Sequence, residues 1–228
     1  MDYLFPPALQ PSVAISGSSQ RFPVHRIYCI GRNYADHAKE MGAAVDRGNP
    51  VFFCKPADAI VADRAQIPYP IGTHDLHHEV EMVVALQSGG VDIAPAHALK
   101  HVFGYAVGLD LTRRDLQNIA KSKALPWDSA KAFDRSAPVS AIRRAGESGH
   151  PQRAQLALDV NGTPRQQADI ADMIFSVAEI IVLLSRLFEL KAGDLIFTGT
   201  PAGVASLQRG DRFFARLEGI AELHGAVA

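Results

Sequence analysis

The stretch that most constrains the fold covers residues 77–86, HHEVEMVVAL. Apolar side chains recur at every second position, which is typical of a β-strand with one face against a core. The alternate face carries Glu79 and Glu81, which point the same way on a strand. Carboxylates this close repel each other unless a positive group lies between them, so the stretch predicts either a solvated acidic face or a cation site. The apolar positions are Val80, Met82, Val84 and Leu86.

A second predicted strand, residues 101–109, leads to another carboxylate. Its large side chains alternate with the small residues Gly104, Ala106 and Gly108, and the small face ends at Asp110. A face of small residues allows another layer of the fold to approach closely. We therefore expect Asp110 at the mouth of a tight space.

The three carboxylates Glu79, Glu81 and Asp110 all fall at predicted strand ends. Carboxylate oxygens suit Mg²⁺, Mn²⁺ or Ca²⁺, and three such ligands leave open positions on an octahedral ion, as a catalytic metal needs. His77 shares the predicted acidic face. It is either a fourth ligand or, more commonly, a residue that supports the ligands.

Two further pairs of residues offer chemistry. His37 and Glu40 lie three apart in a short helix predicted over residues 35–41, so they share a face and could form an oriented base. The alternative is an ordinary surface helix. Lys131 and Arg114 could hold an anionic substrate or stabilise an oxyanion, although each taken singly is more typical of a surface cation.

A glycine-rich turn is predicted over residues 198–203, TGTPAG. Its amides and hydroxyls could cradle a carboxylate, or it could be a simple turn. It is not a phosphate-binding P-loop, because the Gly-Lys-Ser/Thr ending is missing.

Composition excludes several classes of protein. The chain of 228 residues has a net charge of −1, which gives no electrostatic reason to expect a nucleic-acid or membrane partner. The start of the chain is acidic and broken by prolines, unlike a signal peptide, so we expect a cytoplasmic protein. Cys29 and Cys54 lie in apolar strand-like runs and are expected to be buried free thiols.

The pattern of turns predicts an irregular N-terminal arm over residues 1–20, with an edge strand around Val13, followed by a single catalytic domain over residues 21–228. We expect Thr112 to cap a helix and residues 161–162, Asn-Gly, to turn a hairpin. Apolar residues at helical spacing predict one long core helix from Ile170 to Phe188. The last strand is expected over residues 210–217.

Taken in order, several short motifs resemble the fumarylacetoacetate hydrolase family. Each is weak alone, but the ordered set is specific and runs from about residue 24 to the C-terminus. They are GRNYADH at 31–37, KP at 55–56, HHEVE at 77–81, GYAVGLDLT at 104–112, LPW at 125–127 with AK at 130–131, DMIF at 172–175 and TGTPAGV at 198–204.

The resemblance implies a fold class of mixed β with peripheral helices (α+β), a β-roll of packed mixed sheets, usually as a homodimer. It implies one Mg²⁺ or Mn²⁺ per subunit, held by Glu79, Glu81 and Asp110. It also implies that His37 and Glu40 activate water. The remaining site residues it implies are catalytic Lys131 and substrate-binding Arg32, Tyr34, Arg114, Gln117 and Thr200.

Within the family the chain is similar to short acylpyruvate hydrolases, and among them to fumarylpyruvate hydrolases of gentisate breakdown, through residues 21–29, RFPVHRIYC. The resemblance thus implies a diketo-acid substrate cleaved at a C–C bond. Ala124, Ala132 and Ala205 stand where relatives often carry glycine, which leaves loop geometry and substrate choice open. The alternatives are oxaloacetate decarboxylation, hydroxymuconate isomerisation or decarboxylation, sugar-acid dehydration, and a non-catalytic metal-dependent binding protein.

Overall fold

The computed structural model describes residues 2–40, 42 and 46–228. Over these residues the chain is a mixed β fold with few helices, which confirms the predicted class. Parallel and antiparallel neighbours occur in the same sheet, since β15 pairs parallel with β3 and antiparallel with β8. The strands are β1 (Ser12–Ala14), β2 (Arg21–Pro23), β3 (Ile27–Gly31), β4 (Val51–Lys55), β5 (Ile60–Val61), β6 (Ala65–Ile67), β7 (Leu76–His78), β8 (Val80–Leu86), β9 (Val102–Leu109), β10 (Thr112–Arg113), β11 (Ala137–Pro138), β12 (Arg143–Arg144), β13 (Gln155–Val160), β14 (Thr163–Asp169), β15 (Leu195–Phe197), β16 (Ala205–Leu207), β17 (Arg212–Leu217) and β18 (Ala221–Val227).

The helices are short and lie at the edges of the sheets. In the part of the chain that the structure describes, no helix has the length and apolar character needed to cross a membrane. The α-helices are α1 (Ala35–Glu40), α2 (Arg114–Ser122), α3 (Asp128–Lys131), α4 (Ala145–Ser148) and α5 (Val177–Leu187), and 3₁₀ turns occur at Ala57–Ala59, Pro95–His101 and Ile170–Asp172.

Two large sheets enclose the main core. A six-stranded sheet has the order β12-β9-β8-β15-β3-β4, and a five-stranded sheet has the order β14-β13-β17-β18-β6. Apolar side chains from both sheets and from α5 form one continuous cluster. The hairpin predicted at Asn161 and Gly162 joins β13 to β14, with both residues at positive φ, as its turn requires.

β8 lies inside the six-stranded sheet and is buried on both faces, so the prediction of a half-buried strand was wrong. One face belongs to the main core. The other face, with Val83 and Ala85, belongs to a second cluster that includes Val13 and Phe22 of the pair β1–β2. The glutamates therefore lie at the end of a fully buried strand and not on a solvated face.

The small face of β9 is closely covered, as the sequence predicts. A Cβ atom added at Gly104 would meet the backbone oxygen of Arg143 at 2.1 Å, and one at Gly108 would meet that of Pro138 at 2.9 Å. The chain after α3 thus crosses this face in backbone contact. This layer closes the space beside Asp110.

The long helix predicted from Ile170 was too long. Residues Ile170–Asp172 form a separate 3₁₀ turn, and α5 begins after Ser176. A capping box fixes that start, because the Ser176 hydroxyl accepts from the Glu179 N–H and the Glu179 carboxylate accepts from the Ser176 N–H. This local signal outweighs the apolar spacing of the preceding residues.

Thr112 does not cap a helix, contrary to the prediction. It belongs to β10, and its hydroxyl donates to the backbone oxygen of Asp110 at 3.0 Å. Helix α2 begins two residues later, with Arg113 at the cap position and no side-chain cap. The hydroxyl is used in the site, where it accepts from Lys131 Nζ at 2.6 Å.

Three other expectations meet the structure differently. Cys29 is buried, as predicted, but Cys54 is exposed because β4 is an edge strand. The strand ending at Leu217 is not the last, since β18 follows it and pairs with it antiparallel. The predicted edge strand near Val13 is present as β1, paired with β2. The helix predicted over 35–41 ends at Glu40, and residue 41 lies outside the described residues.

Candidate metal centre

Strand register brings the three carboxylates together. In the antiparallel pair of β8 and β9, Glu81 lies opposite Gly108. Beyond the end of that ladder, the Asp110 N–H donates to the backbone oxygen of Glu79 at 2.8 Å. Side-chain oxygens of Glu79, Glu81 and Asp110 all lie within 4.8 Å of one another, and all three residues are buried. These three residues are called the carboxylate cluster below.

Buried cations lie against one side of the carboxylate cluster. Lys131 Nζ donates to Glu79 Oε2 at 2.8 Å and to Asp110 Oδ2 at 2.6 Å. Lys55 Nζ lies 2.7 Å from Asp110 Oδ1, and Arg114 pairs with Glu79. Lys131 and Arg114 are therefore not surface cations, since they are only 2% and 4% exposed.

The charges within the carboxylate cluster are compensated unequally. Burial would raise the pKa of Glu79, but Lys131 and the neighbouring guanidinium lower it well below its usual range. Burial and the charges of Asp110 and Glu79 instead raise the pKa of Glu81 well above its usual range. The Glu81 carboxylate accepts from the Gly199 N–H at 2.6 Å. Glu81 is thus the member of the cluster whose negative charge is least satisfied.

This arrangement fits a divalent cation. The donor set consists of carboxylate oxygens, the ligands that Mg²⁺ and Mn²⁺ prefer. A bound cation would supply the positive charge that burial denies to Glu81. Held by Glu79, Glu81 and Asp110, it would act as a Lewis acid on an oxygen-rich substrate.

Lys131 has a second role to fill beside this cluster. Its ammonium group has three N–H donors, and these reach Glu79, Asp110 and Thr112. Burial alone would lower the pKa of Lys131, but the charges of Asp110 and Glu79 raise it. Because a metal would use the same carboxylate oxygens, Lys131 gains free donors whenever those oxygens bind a cation.

Sequence reasoning missed two buried amides that hold the cluster's surroundings in place. Gln166 accepts from the Val80 N–H at 3.1 Å and donates to the Thr200 hydroxyl at 2.8 Å. Asn33 donates to the backbone oxygens of Thr198 and Phe175. Gln166 lies in an otherwise exposed hairpin strand, so no pattern marked it. Asn33 lay within a family motif without an assigned role.

The turn over residues 198–203 does cradle a carboxylate, but one of the protein's own. Its Gly199 N–H holds Glu81, and its Gly203 N–H lies 3.2 and 3.3 Å from the two carboxylate oxygens of Glu40. Gly199 needs its positive φ of 93°, and a Cβ there would meet the Asn33 side chain at 2.6 Å. The turn thus links the carboxylate cluster to helix α1.

His77 does not join the carboxylate cluster as a ligand. Its Nε2 lies 3.0 Å from Asp75 Oδ1, and its Nδ1 accepts from Arg114 Nε at 3.3 Å. His77 therefore supports the guanidinium that pairs with Glu79. This matches the supporting role that the sequence favoured.

His37 and Glu40 meet on one face of α1, where His37 Nδ1 lies 3.2 Å from Glu40 Oε2. His37 is 6% exposed. Burial lowers its pKa below the ordinary value, although Glu79 and Glu40 oppose that shift. At neutral pH the imidazole is therefore uncharged and able to accept a proton.

One small cavity connects these groups. Its volume is about 30 Å³, room for about two water molecules. Tyr34 and Glu40 are not part of its lining; Tyr34 is buried nearby with its hydroxyl unpartnered among the described residues. The lining includes Arg32, His37, Glu79, Glu81, Asp110, Arg114, Gln117, Lys121, Trp127, Lys131 and Thr200.

Comparison with known proteins agrees with this site. The fumarylacetoacetate (FAA) hydrolase C-terminal family matches residues 26–228. The chain is 43% identical to the oxaloacetate tautomerase of Escherichia coli over 204 residues, 89% of this chain and 93% of that protein. It is 41% identical to the mitochondrial oxaloacetate tautomerase of Homo sapiens over 197 residues, 86% of this chain and 89% of that protein.

Among solved structures, the chain is similar to fumarylpyruvate hydrolase from Pseudomonas aeruginosa in complex with Mn²⁺ and pyruvate. The two are 49% identical, with a TM-score of 0.97 over 100% of this chain and 99% of the other. The mixed β fold and the buried carboxylate cluster define a metal-binding enzyme. The chain belongs to the fumarylacetoacetate hydrolase family.

Proposed function

We propose that this protein hydrolyses the C–C bond of an acylpyruvate, R–CO–CH₂–CO–COO⁻, and that its substrate is fumarylpyruvate. Water adds to the acyl carbonyl, and the bond from that carbon to the CH₂ group breaks. The products are fumarate and pyruvate, whose methyl group takes up a proton. The observation that carries this proposal is the neutral imidazole of His37, which lines the same cavity as the carboxylate cluster.

His37 supplies the base that hydrolysis requires. Glu40 contacts its Nδ1, which leaves Nε2 free to take a proton from water. Glu40 also stabilises the imidazolium that results, as a carboxylate beside a histidine does. His37 then holds the proton that pyruvate needs when the C–C bond has broken.

The other lining residues bind and orient the substrate. Arg114 and Gln117 share a hydrogen bond and both face the cavity, where they can hold the pyruvate carboxylate. Lys131 donates to the oxyanion that forms when water adds to the acyl carbonyl. A metal in the carboxylate cluster would withdraw charge from the departing enolate as a Lewis acid.

Substrate entry requires a movement. A diketo acid does not fit a cavity of about 30 Å³. Helix α1 is the element that can open it, because α1 carries His37 and contacts the facing turn through the bond from Gly203 N–H to Glu40. We propose that α1 lifts to admit substrate and closes to exclude bulk water.

A second candidate function is tautomerisation of oxaloacetate. Its support is the 43% identity to the Escherichia coli oxaloacetate tautomerase. This reaction moves a proton between carbon and oxygen without adding water, and His37 could carry that proton as well. The two functions therefore differ in the fate of the C–C bond.

Purified protein with Mn²⁺ should be given fumarylpyruvate, acetylpyruvate and oxaloacetate in separate assays, with products followed by NMR. Equimolar fumarate and pyruvate support the proposal, whereas enol–keto exchange of oxaloacetate without acylpyruvate cleavage supports the second candidate. Glu81→Ala should abolish cleavage, while exposed Glu218→Ala should retain it. Full cleavage by Glu81→Ala would reject the proposed site.

A further inference from the structure

Lys121 is a cation of the cavity to which no role has been given. It lines the cavity from the end of α2 and is half-buried. Among the described residues its Nζ makes no ion pair, and its closest described partner is the ring of Trp127, with the centroid 5.5 Å away. A lysine placed in this way holds its charge toward the cavity.

Arg32 is the second cation of the cavity without a carboxylate partner among the described residues. It follows β3 and adopts a φ of +61°, a backbone conformation that non-glycine residues rarely take. Such strain persists where the surrounding structure requires that residue at that point. By contrast, Arg114 and Lys131 are both paired with Glu79.

The local electrostatics agree with this division. Burial, followed by the charges of Arg114 and Arg32, lowers the pKa of Lys121 to about 8. Lys121 thus lies in a region where positive charge is in excess. Among the residues that the structure describes, three carboxylates and four cations line the cavity, and a divalent metal would add to the positive side. The cavity as a whole therefore favours a ligand with more than one negative charge.

The position of Lys121 is fixed by the backbone that follows it. The Leu125 N–H donates to the Ala120 oxygen at 2.9 Å, and the Ala124 N–H donates to the Lys121 oxygen. This is the Schellman pattern of a helix end, with Ala124 in the left-handed conformation at φ +52°. It turns the chain so that Trp127 returns to the cavity beside Lys121.

We propose that Lys121, together with Arg32, binds a carboxylate at the far end of the acyl group, and that this contact selects acylpyruvates that are dicarboxylates. The inference rests on the proposed function, because the pyruvate half must occupy the carboxylate cluster. It adds a specificity residue, Lys121, beyond the residues that hold the pyruvate half.

The test compares two substrates that differ in the distal carboxylate, fumarylpyruvate and acetylpyruvate. Lys121→Met removes the charge and keeps the length of the side chain, and Lys123→Met is the matched control on the exposed side of the same turn. We expect Lys121→Met to lower kcat/KM for fumarylpyruvate at least about tenfold more than for acetylpyruvate, mainly through KM. Lys121→Arg should restore most of the preference, and Lys123→Met should leave it unchanged.

An equal loss on both substrates, or no loss on fumarylpyruvate, would overturn the subsite. Trp127 is the only tryptophan of the chain and provides a readout that needs no turnover. Fumarate and crotonate, which lacks the second carboxylate, are titrated against the Mg²⁺-loaded protein while Trp127 fluorescence is followed. Lys121→Met should remove the preference for fumarate. If the wild type cleaves neither acylpyruvate but shows this preference, the proposed function fails and the subsite stands; if the preference is absent or survives Lys121→Met, the subsite fails.

Discussion

Lys55 Nζ lies 2.7 Å from Asp110 Oδ1, and the two side chains are 0% and 1% exposed. Lys55 also donates to the backbone oxygens of Leu111 and Lys131. It ends β4, so a single side chain ties that edge strand to the end of β9 and to α3. The lysine thus neutralises one carboxylate and at the same time positions the backbone that carries another cation of the site.

Replacing Lys55 should be costly for stability. Lys55→Met would leave Asp110 buried with one cation fewer, and removal of one partner from a buried pair typically destabilises a protein by about 3 kcal/mol or more. Urea unfolding at pH 7 measures this loss. Lys191→Met is the matched control, because its pair with Glu189 is exposed and should contribute about 1 kcal/mol or less. Similar losses in the two variants would contradict the structural role given to Lys55.

Metal binding should depend on Glu81. Glu81→Gln keeps the shape of the side chain but removes the charge that the divalent cation would satisfy, so we expect Mn²⁺ affinity to fall about a hundredfold or more. Isothermal titration with Mn²⁺ at pH 7.5 gives the affinity directly, and the exposed Glu218→Gln serves as the control. Unchanged Mn²⁺ affinity in Glu81→Gln would show that the ion binds elsewhere.

His37 should set the acid limb of the pH–rate profile. Its pKa is below the ordinary 6.5 because of burial, so the neutral base persists below pH 6.5 and kcat/KM falls only as pH drops through the folded-state pKa. The same sign holds for stability. The unfolded chain takes up the proton first, so any contribution of His37 is present above pH 6.5 and is lost as pH falls through the lower value.

Glu40→Gln removes a charge that raises the pKa of His37, so it should move the acid limb to still lower pH and reduce kcat. An NMR titration of the His37 ring checks the shift without catalysis. Asp36→Asn, on the exposed face of the same helix, should change neither. A limb that moves to higher pH in Glu40→Gln would contradict this arrangement.

Two alanines at positions where relatives often carry glycine should respond in opposite ways. Ala124 has a φ of +52° at the end of α2, so Ala124→Gly should relieve strain and stabilise the protein by about 1 kcal/mol. Ala132 has a φ of −101°, so Ala132→Gly gains no relief and should lose about 0.5 kcal/mol through backbone entropy. Thermal unfolding of both variants measures the difference, and stabilisation of both would reject the argument from φ.

The class of fold and the carboxylate cluster were accessible from the sequence because both depend on local rules. Alternation along β8, the small face of β9 and the Asn-Gly hairpin are properties of neighbouring residues. The ordered motifs added the site residues by resemblance. Errors arose where local signals competed, as at Ser176, whose capping box overrode the apolar spacing from Ile170, and at Thr112, whose hydroxyl bonds within the site.

Strand alternation established that Glu79 and Glu81 share a face, because side-chain direction along a strand follows from the backbone alone. Whether that face met water or a packed layer was decided by strands distant in the chain. The pair β1–β2 covers the alternate face of β8, and Lys55 and Lys131 reach Asp110 from separate elements. Burial and charge compensation sum over such long-range contacts, so the pKa values and the surplus positive charge near Lys121 emerge only from the tertiary structure.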